Sequence, residues 1–208
     1  MGKRFRGLLI TFEGGEKLGK STQIEILANH LQKEGLPVVV SREPGGTAFG
    51  VAVRELLLNP KWGLSKAASL FLFFADRAQH YKEVIKPALS QGKIIILDRY
   101  IDSTIVYQGH GNGWSIPFIW RLHNAATGML LPDLTFVFNG TPHAMREQDD
   151  TFERLDDAFH QKVKDAYLSI ANTMSRYQVI DANQSVDSVA QEIFDRSWSL
   201  LIAKAYIK

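Results

Sequence analysis

Gly14, four residues, then Gly19, Lys20 and Ser21 form the pattern G-x-x-x-x-G-K-[ST] inside the stretch FEGGEKLGKST, Phe12 to Thr22. Each residue type has a use at that spacing. Glycines let successive amides turn toward a polyphosphate, a following helix N-terminus adds positive potential, a lysine supplies a point charge, and a serine hydroxyl can ligate Mg2+. The pattern points to a nucleoside triphosphate cradle built from Gly14, Gly15, Glu16, Lys17, Leu18, Gly19, Lys20, Ser21 and Thr22. The competing reading is an ordinary glycine turn capped by Ser21. A strand before the loop and a helix after it would favour the cradle.

Arginines supply a second set of anion ligands. REPGGT (Arg42 to Thr47), Arg54, FFADRAQH (Phe73 to His80) and LDRYIDSTIVYQG (Leu97 to Gly109) place Arg42, Arg54, Arg77 and Arg99 after strands or on the helices that follow. Loops at one end of a parallel sheet converge on a common crevice. A pure ATPase needs one phosphate site, whereas a kinase acting on a nucleotide needs two, and planar guanidinium groups suit the second. Taken singly, any of these arginines could equally be a surface ion pair.

The elements that must hold these groups alternate along the chain. Strands are expected over Gly7 to Glu13, Pro37 to Arg42, Lys93 to Asp98, Asp133 to Asn139 and Tyr177 to Asp181; runs such as Ile94-Ile95-Ile96-Leu97 suit strands buried on both faces. Helices are expected over Ser21 to Glu34, Gly50 to Leu58, Ser65 to Gln91, Ile116 to Thr127, His143 to Arg146, Ala158 to Arg176 and Ser185 to Tyr206, with Pro87 interrupting the third. The fold class implied is α/β: a three-layer domain with a five-stranded parallel sheet flanked by helices.

Composition narrows the function classes. The 208 residues with 45% hydrophobic content suit one domain over 1–208, and the absence of cysteine excludes disulfides and thiolate metal sites. A net charge of +2 gives no nucleic-acid footprint. Lys3, Arg4 and Arg6 followed by Leu8, Leu9 and Ile10 are too short a pattern for a signal peptide, and no run approaches a membrane span, so a cytoplasmic protein without membrane or nucleic-acid partners is expected. The six histidines show no metal-binding spacing. No N-K-x-D guanine-reading motif is present, which counts against a GTP switch.

EGGEKLGKSTQ, REPGGT, ADRAQH, DRYIDSTIVYQG, PDLTFVF, FHQKV and VIDAN, in that order over nearly the whole chain, resemble the thymidylate kinase family of P-loop nucleoside monophosphate kinases. The resemblance implies phosphorylation of dTMP to dTDP by ATP with Mg2+, a short lid over about 141–157, and a homodimer packed through helices. It implies that Lys20 and Ser21 contact the ATP phosphates and Mg2+, with Asp98 near the metal's water shell. Glu16 would reach the acceptor's 3′ hydroxyl, and Arg54 and Arg99 would clamp its phosphate. Phe73 would stack on the base, Arg77, Thr104 and Gln108 would read it, and Tyr107 would crowd the sugar's 2′ position. Without the resemblance, Phe71, Phe73 and Phe74 read as a core run, and Asp181 as a turn residue near the adenine pocket.

Two departures from the family pattern concern catalysis. Lys17 stands where common bacterial members carry glycine, and Thr151 stands where many carry a lid arginine, leaving Arg146 and Arg154. Either Lys17 is a solvated loop lysine, or it takes over part of the charge stabilisation that a lid arginine gives elsewhere. Asn139-Gly140 also replaces a common aspartate at the end of the fourth strand. Other readings consistent with the sequence are a kinase for another nucleotide or nucleoside, and a nucleotide-binding protein impaired in catalysis.

Overall fold

The computed structural model describes residues 7–142 and 157–207. Five parallel strands, β1 (Leu8–Gly14), β2 (Val38–Arg42), β3 (Ile94–Asp98), β4 (Leu134–Asn139) and β5 (Tyr177–Asp181), lie in the order β2-β3-β1-β4-β5. Among the described residues, the helices are α1 (Lys20–Lys33), α2 (Ala48–Leu58), α3 (Lys66–His80), α4 (Lys86–Ser90), α5 (Ile101–Thr104), α6 (Ile116–Thr127), α7 (Asp157–Ala171) and α8 (Val186–Ala203). No helix among the described residues is long and apolar enough to cross a membrane.

The unbroken apolar strands follow from burial on both sheet faces. Leu8, Ile10 and Phe12 of β1, with Ile94 and Ile96 of β3, pack toward Ile24, Leu27 and Leu31 of α1 and Ile193 of α8. Their neighbours Leu9, Ile95 and Leu97 point the other way, toward Leu70 and Phe74 of α3, Leu89 of α4 and Ile119 of α6. Alternate side chains on a strand face opposite sides, so a two-sided core favours consecutive apolar residues such as Ile94-Ile95-Ile96-Leu97.

Register brings the active loops together. Phe12 pairs with Asp98 across β1 and β3, and Arg42 pairs with the same Asp98 across β2 and β3. The loops beginning at Gly14, Glu43 and Arg99 therefore leave the sheet side by side at its carboxyl edge, where ligands gather in open α/β sheets.

Three elements differ from the sequence expectation. Ile101–Thr104 is helical and continues into a π-helical segment, Ile105–Gly111, where no helix was expected. Ile101, Thr104, Ile105 and Val106 are β-branched, and two glycines follow, so helix propensity is poor; burial of Ile101, Ile105, Val106 and Tyr107 overrides it. The interruption expected at Pro87 does not occur: the helical run continues past it to Ser90 by way of a π-helical turn, Tyr81–Ile85, which widens the coil just before the proline ring. The helix expected to reach Arg176 stops at Ala171. There Asn172 Nδ2 donates to the Leu168 carbonyl and Thr173 Oγ1 to the Ile170 carbonyl, side-chain bonds that compete with helix continuation. The helix expected at His143 to Arg146 lies outside the described residues.

Phe136 is fully buried in β4, its ring 5.2 Å from that of Phe12 beneath α1. Phe136→Ala is expected to destabilise the fold by about 3–5 kcal/mol, through lost transfer energy and the cavity left behind. A urea midpoint within error of the parent's would contradict this packing.

Candidate active site

The loop from β1 to α1 is shaped by left-handed backbone. Gly14 has φ 128° and its α-carbon lies so close to β4 that a Cβ would sit 2.6 Å from the Phe138 carbonyl oxygen; Gly19, at φ 81°, opens α1. Lys17 holds φ 58°, a conformation that costs a side-chain-bearing residue roughly 1–2 kcal/mol relative to the right-handed one. Glycine meets no such penalty, which gives a physical reason for glycine at this position in the family pattern.

Lys20, the first residue of α1, is buried and turns its Nζ back to donate to the Gly15 carbonyl. Burial, and next the charge of Arg99, push its ammonium down to about 8, against the pull of Glu16 and Asp98. Ser21 Oγ lies 3.4 Å from Asp98 Oδ2, while Asp98 Oδ1 is buried without a hydrogen-bond partner among the described residues. Those residues contain no cluster of three His, Cys, Asp or Glu able to hold a metal. A hard cation here would therefore depend on phosphate and water oxygens for most of its ligands.

Arg99 joins this loop to the helical segment after β3. It too is left-handed, at φ 67°. Its Nη1 donates to the Gly14 carbonyl at 3.0 Å, Ser103 Oγ at 3.1 Å and Tyr167 Oη at 3.3 Å; its Nη2 pairs with Glu16, and the guanidinium lies over the Tyr107 ring. Burial works against ionisation of Glu16, but Arg99, Lys20 and Arg54 outweigh it and hold the carboxyl below its ordinary range. Arg54 Nη1 donates to the Pro44 carbonyl, and a Cβ on Gly45 would touch both Arg54 and Arg42.

Arg77 is fully buried on α3. Its Nε donates to Glu43 Oε2 at 2.8 Å and its Nη2 to Thr104 Oγ1 at 3.0 Å, with the Phe74 and Tyr100 rings within 5.2 Å. The neighbouring phenylalanines separate by role: Phe71 is exposed, Phe74 is core, and Phe73 is half-buried.

One cavity of about 330 Å³ unites these groups. Every candidate residue within the described part of the chain lines it, except Gly14 and Gly15; Arg146 lies outside the described residues, as do 143–156 of the expected lid. Six basic side chains (Lys17, Lys20, Arg42, Arg54, Arg77 and Arg99) face three carboxylates (Glu16, Glu43 and Asp98), so the lining suits a polyanion. At the far end, Arg77 Nη1 and Gln108 Nε2 are buried donors without an acceptor among the described residues. Asp181 is a turn residue: its Oδ1 accepts from the backbone and side chain of Asn183.

Sequence reasoning passed over the acids beneath the cavity. Glu13, wholly buried at the end of β1, accepts from Tyr100 N at 2.8 Å, Ser103 Oγ at 2.6 Å and Tyr167 Oη at 3.1 Å. Burial, and then the charge of Asp102, push its carboxyl up to about 7 despite these bonds and Arg99. Asp102 is bound through both oxygens by Arg176, at 2.7 and 2.8 Å, and accepts from Tyr177 Oη at 2.8 Å. The only sequence signal was a carboxylate inside an apolar strand, Glu13 in ITFEG.

A raised carboxyl pKa means that the folded protein holds the Glu13 proton more tightly than the unfolded chain, whose value is about 4.3. The stability this contributes is complete below that value and is lost as pH rises through about 7, at a slope of at most about 1.4 kcal/mol per pH unit. Asp76, pushed up to about 6 chiefly by burial, acts in the same direction, so the comparison must be between the parent and Glu13→Gln. The parent's urea midpoint relative to that variant is expected to fall between pH 5 and pH 8. Parallel pH curves would exclude Glu13 from the linkage.

Comparison with known proteins gives the same direction throughout. The thymidylate kinase family model matches residues 12–193. A thymidylate kinase of Pseudomonas putida is 45% identical over 195 residues, covering 90% of this chain and 93% of its own, and one of Exiguobacterium sibiricum is 40% identical, covering 90% and 92%. The crystal structure of thymidylate kinase from Ehrlichia chaffeensis superposes with a TM-score of 0.77 at 34% identity, covering 91% of this chain and 97% of that one. With the loop, the arginine-lined cavity and the sheet order already in place, this extent of similarity shows that the chain belongs to the thymidylate kinase family.

Proposed function

We propose that the protein transfers the γ-phosphoryl group of ATP to dTMP, releasing dTDP and ADP. The observation that carries this reading is that one cavity is lined both by Lys20 and Ser21 and by Arg77 and Gln108, together with the Glu16–Arg99 pair. Lys20 and the N-terminus of α1 hold the donor phosphates, and Arg54 and Arg99 hold the acceptor phosphate. The nucleophile is a phosphate oxygen, already ionised at neutral pH, so the reaction needs alignment and charge neutralisation more than a general base.

Base recognition follows from the two buried donors. Phe73 provides a stacking face, and Arg77 Nη1 and Gln108 Nε2 call for carbonyl acceptors, which thymine presents. Cytosine would place an amino group against one of them, leaving buried donors unpaired, a mismatch that discriminates strongly. Thr104, which already accepts from Arg77, adds to the base edge; Tyr107 crowds the 2′ position and Glu16 accepts from the 3′ hydroxyl.

Ser21 and, through water, Asp98 fit Mg2+: the buried Asp98 Oδ1, without a hydrogen-bond partner among the described residues, has capacity for such a partner. When bound, the ion neutralises charge on the donor phosphates. A homodimer packed through helices fits Phe49, Val51 and Leu56 of α2 and Phe71 of the adjoining α3, which are exposed apolar residues. A cytoplasmic location suits an enzyme that consumes ATP and a free nucleotide.

ADP release in a coupled assay, with dTMP, dUMP, dCMP and thymidine as acceptors, tests the reading. The highest kcat/KM is expected with dTMP, whereas preference for thymidine, or no ADP release with any acceptor, would overturn it. For Lys17, we propose the charge-stabilising role at the transferring phosphoryl group. Lys17→Gly is then expected to lower kcat about 10- to 100-fold. It should at the same time keep or raise stability by up to about 1 kcal/mol, because the left-handed strain is relieved while glycine's greater unfolded entropy offsets part of the gain. An unchanged kcat would remove Lys17 from that role, and a larger loss in Arg146→Ala would assign it to the lid.

A further inference from the structure

One layer behind Arg77, a chain of hydrogen bonds leads away from the cavity. Glu43 uses one oxygen for each neighbour: Oε2 accepts from Arg77 Nε at 2.8 Å, and Oε1 lies 3.0 Å from His80 Nδ1. Arg77 and His80 are three residues apart on α3, which puts them on one face of the helix. His80 Nε2 lies 2.8 Å from Ser41 Oγ in β2. Burial opposes ionisation of Glu43, but the Arg77 charge and the His80 bond outweigh it and hold the carboxyl below its ordinary range. An ionised carboxylate can only accept, so Nδ1 carries the proton bonded to Glu43, and Nε2 shares the remaining bond with the Ser41 hydroxyl.

Serine, histidine and carboxylate in this order have the connectivity of a nucleophile, its base and an orienting acid. The surroundings rule out that use. His80 is fully buried, and the backbone of Gly46 closes over the bond: a Cβ there would collide with His80 Nε2 and lie 2.7 Å from Ser41 Oγ. The histidine nitrogen that would have to pass a proton to a leaving group is thereby closed off. What the chain does touch is Arg77, which lines the cavity: its Nε and one N–H of Nη2 are anchored, and its Nη1 has no acceptor among the described residues.

We propose that His80 is a positioning residue for acceptor recognition, acting through Glu43 to fix the direction of Arg77 Nη1, with Ser41 as the far anchor. The proposal rests on the dTMP kinase reading above. Without the Nδ1 bond, the Glu43 carboxylate can rotate and carry the guanidinium with it, so the donor no longer meets the base carbonyl. The donor phosphate site, on the other side of Arg99, is unaffected by that rotation.

Two substitutions of similar polarity but different reach separate the bonds. In His80→Asn the amide nitrogen falls near Nδ1 and keeps the bond to Glu43; in His80→Gln it falls near Nε2 and keeps the bond to Ser41 instead. KM for dTMP, KM for ATP, kcat and the kcat/KM ratio of dTMP over dCMP are measured on the full chain. His80→Asn is expected to hold KM for dTMP within about threefold of the parent's, whereas His80→Gln raises it about tenfold or more, the loss of roughly one charge-assisted bond. In His80→Gln, KM for ATP and kcat should stay within about twofold and the dTMP over dCMP ratio should fall. Ser41→Ala, which leaves α3 intact, should raise KM for dTMP about threefold, and it keeps the test open if a His80 variant does not fold. An active parent with equal dTMP KM in all variants would overturn the proposal, as would a shift of both substrates' KM together. A parent that does not phosphorylate dTMP would instead overturn the functional reading beneath it.

Discussion

Six basic side chains around one cavity repel one another, and a fold that assembles them must lower that repulsion without filling the space the ligand needs. The structure does so with carboxylates placed behind or beside the cations. Glu16 pairs with Arg99 and Glu43 with Arg77, while Asp98 sits below Lys20 and Ser21. Glu43 binds Arg77 through Nε and leaves Nη1 without an acceptor among the described residues. Lys20 remains incompletely compensated, since burial still depresses its ammonium, and a polyphosphate would reverse that cost by supplying the missing negative charge.

The same demand extends one shell further. Glu13 and Asp102 are both fully buried within the scaffold that supports Arg99, and only Asp102 has a cation held to it by two bonds, that of Arg176. Glu13 is left with hydroxyl and amide donors, which is why its proton is held more tightly than in water. Ser103 links the two levels, accepting from Arg99 and donating to Glu13. Arg99 is thereby bound to the phosphate loop, its own helix and α7 at once, enough constraint to sustain a left-handed backbone at a residue with a side chain.

Much of this was legible in the sequence because it is local. Strands buried on both faces show as continuous apolar runs, and the phosphate loop is written within eight consecutive residues. The segment after β3 was hard to read as helix because its β-branched residues and glycines favour other conformations, and only the packing around Ile101 and Val106 decides otherwise. The buried networks were illegible for a different reason. Glu13 meets Tyr167 across 154 residues and Asp102 meets Arg176 across 74, and nothing in the neighbourhood of either acid names its partner. His80 shows no role within ADRAQH taken alone, since its use depends on a loop 37 residues earlier folding against it.

The two ends of the cavity consequently recognise their ligands by different physics. The phosphate end relies on charge and on amides of a glycine loop, which tolerate small displacements because Coulomb attraction falls off slowly with distance. The base end relies on buried donors without an acceptor among the described residues, Arg77 Nη1 and Gln108 Nε2, whose cost is relieved only by an acceptor in the right place. Such a group discriminates only if it is rigid, because a side chain that can swing toward another acceptor loses the penalty that makes the wrong base unfavourable. That requirement accounts for the unequal investment in the two regions: Lys20 donates to the Gly15 carbonyl along an unbranched stem, whereas Arg77 is held by two side chains and two aromatic rings, with Glu43 itself secured from behind by His80.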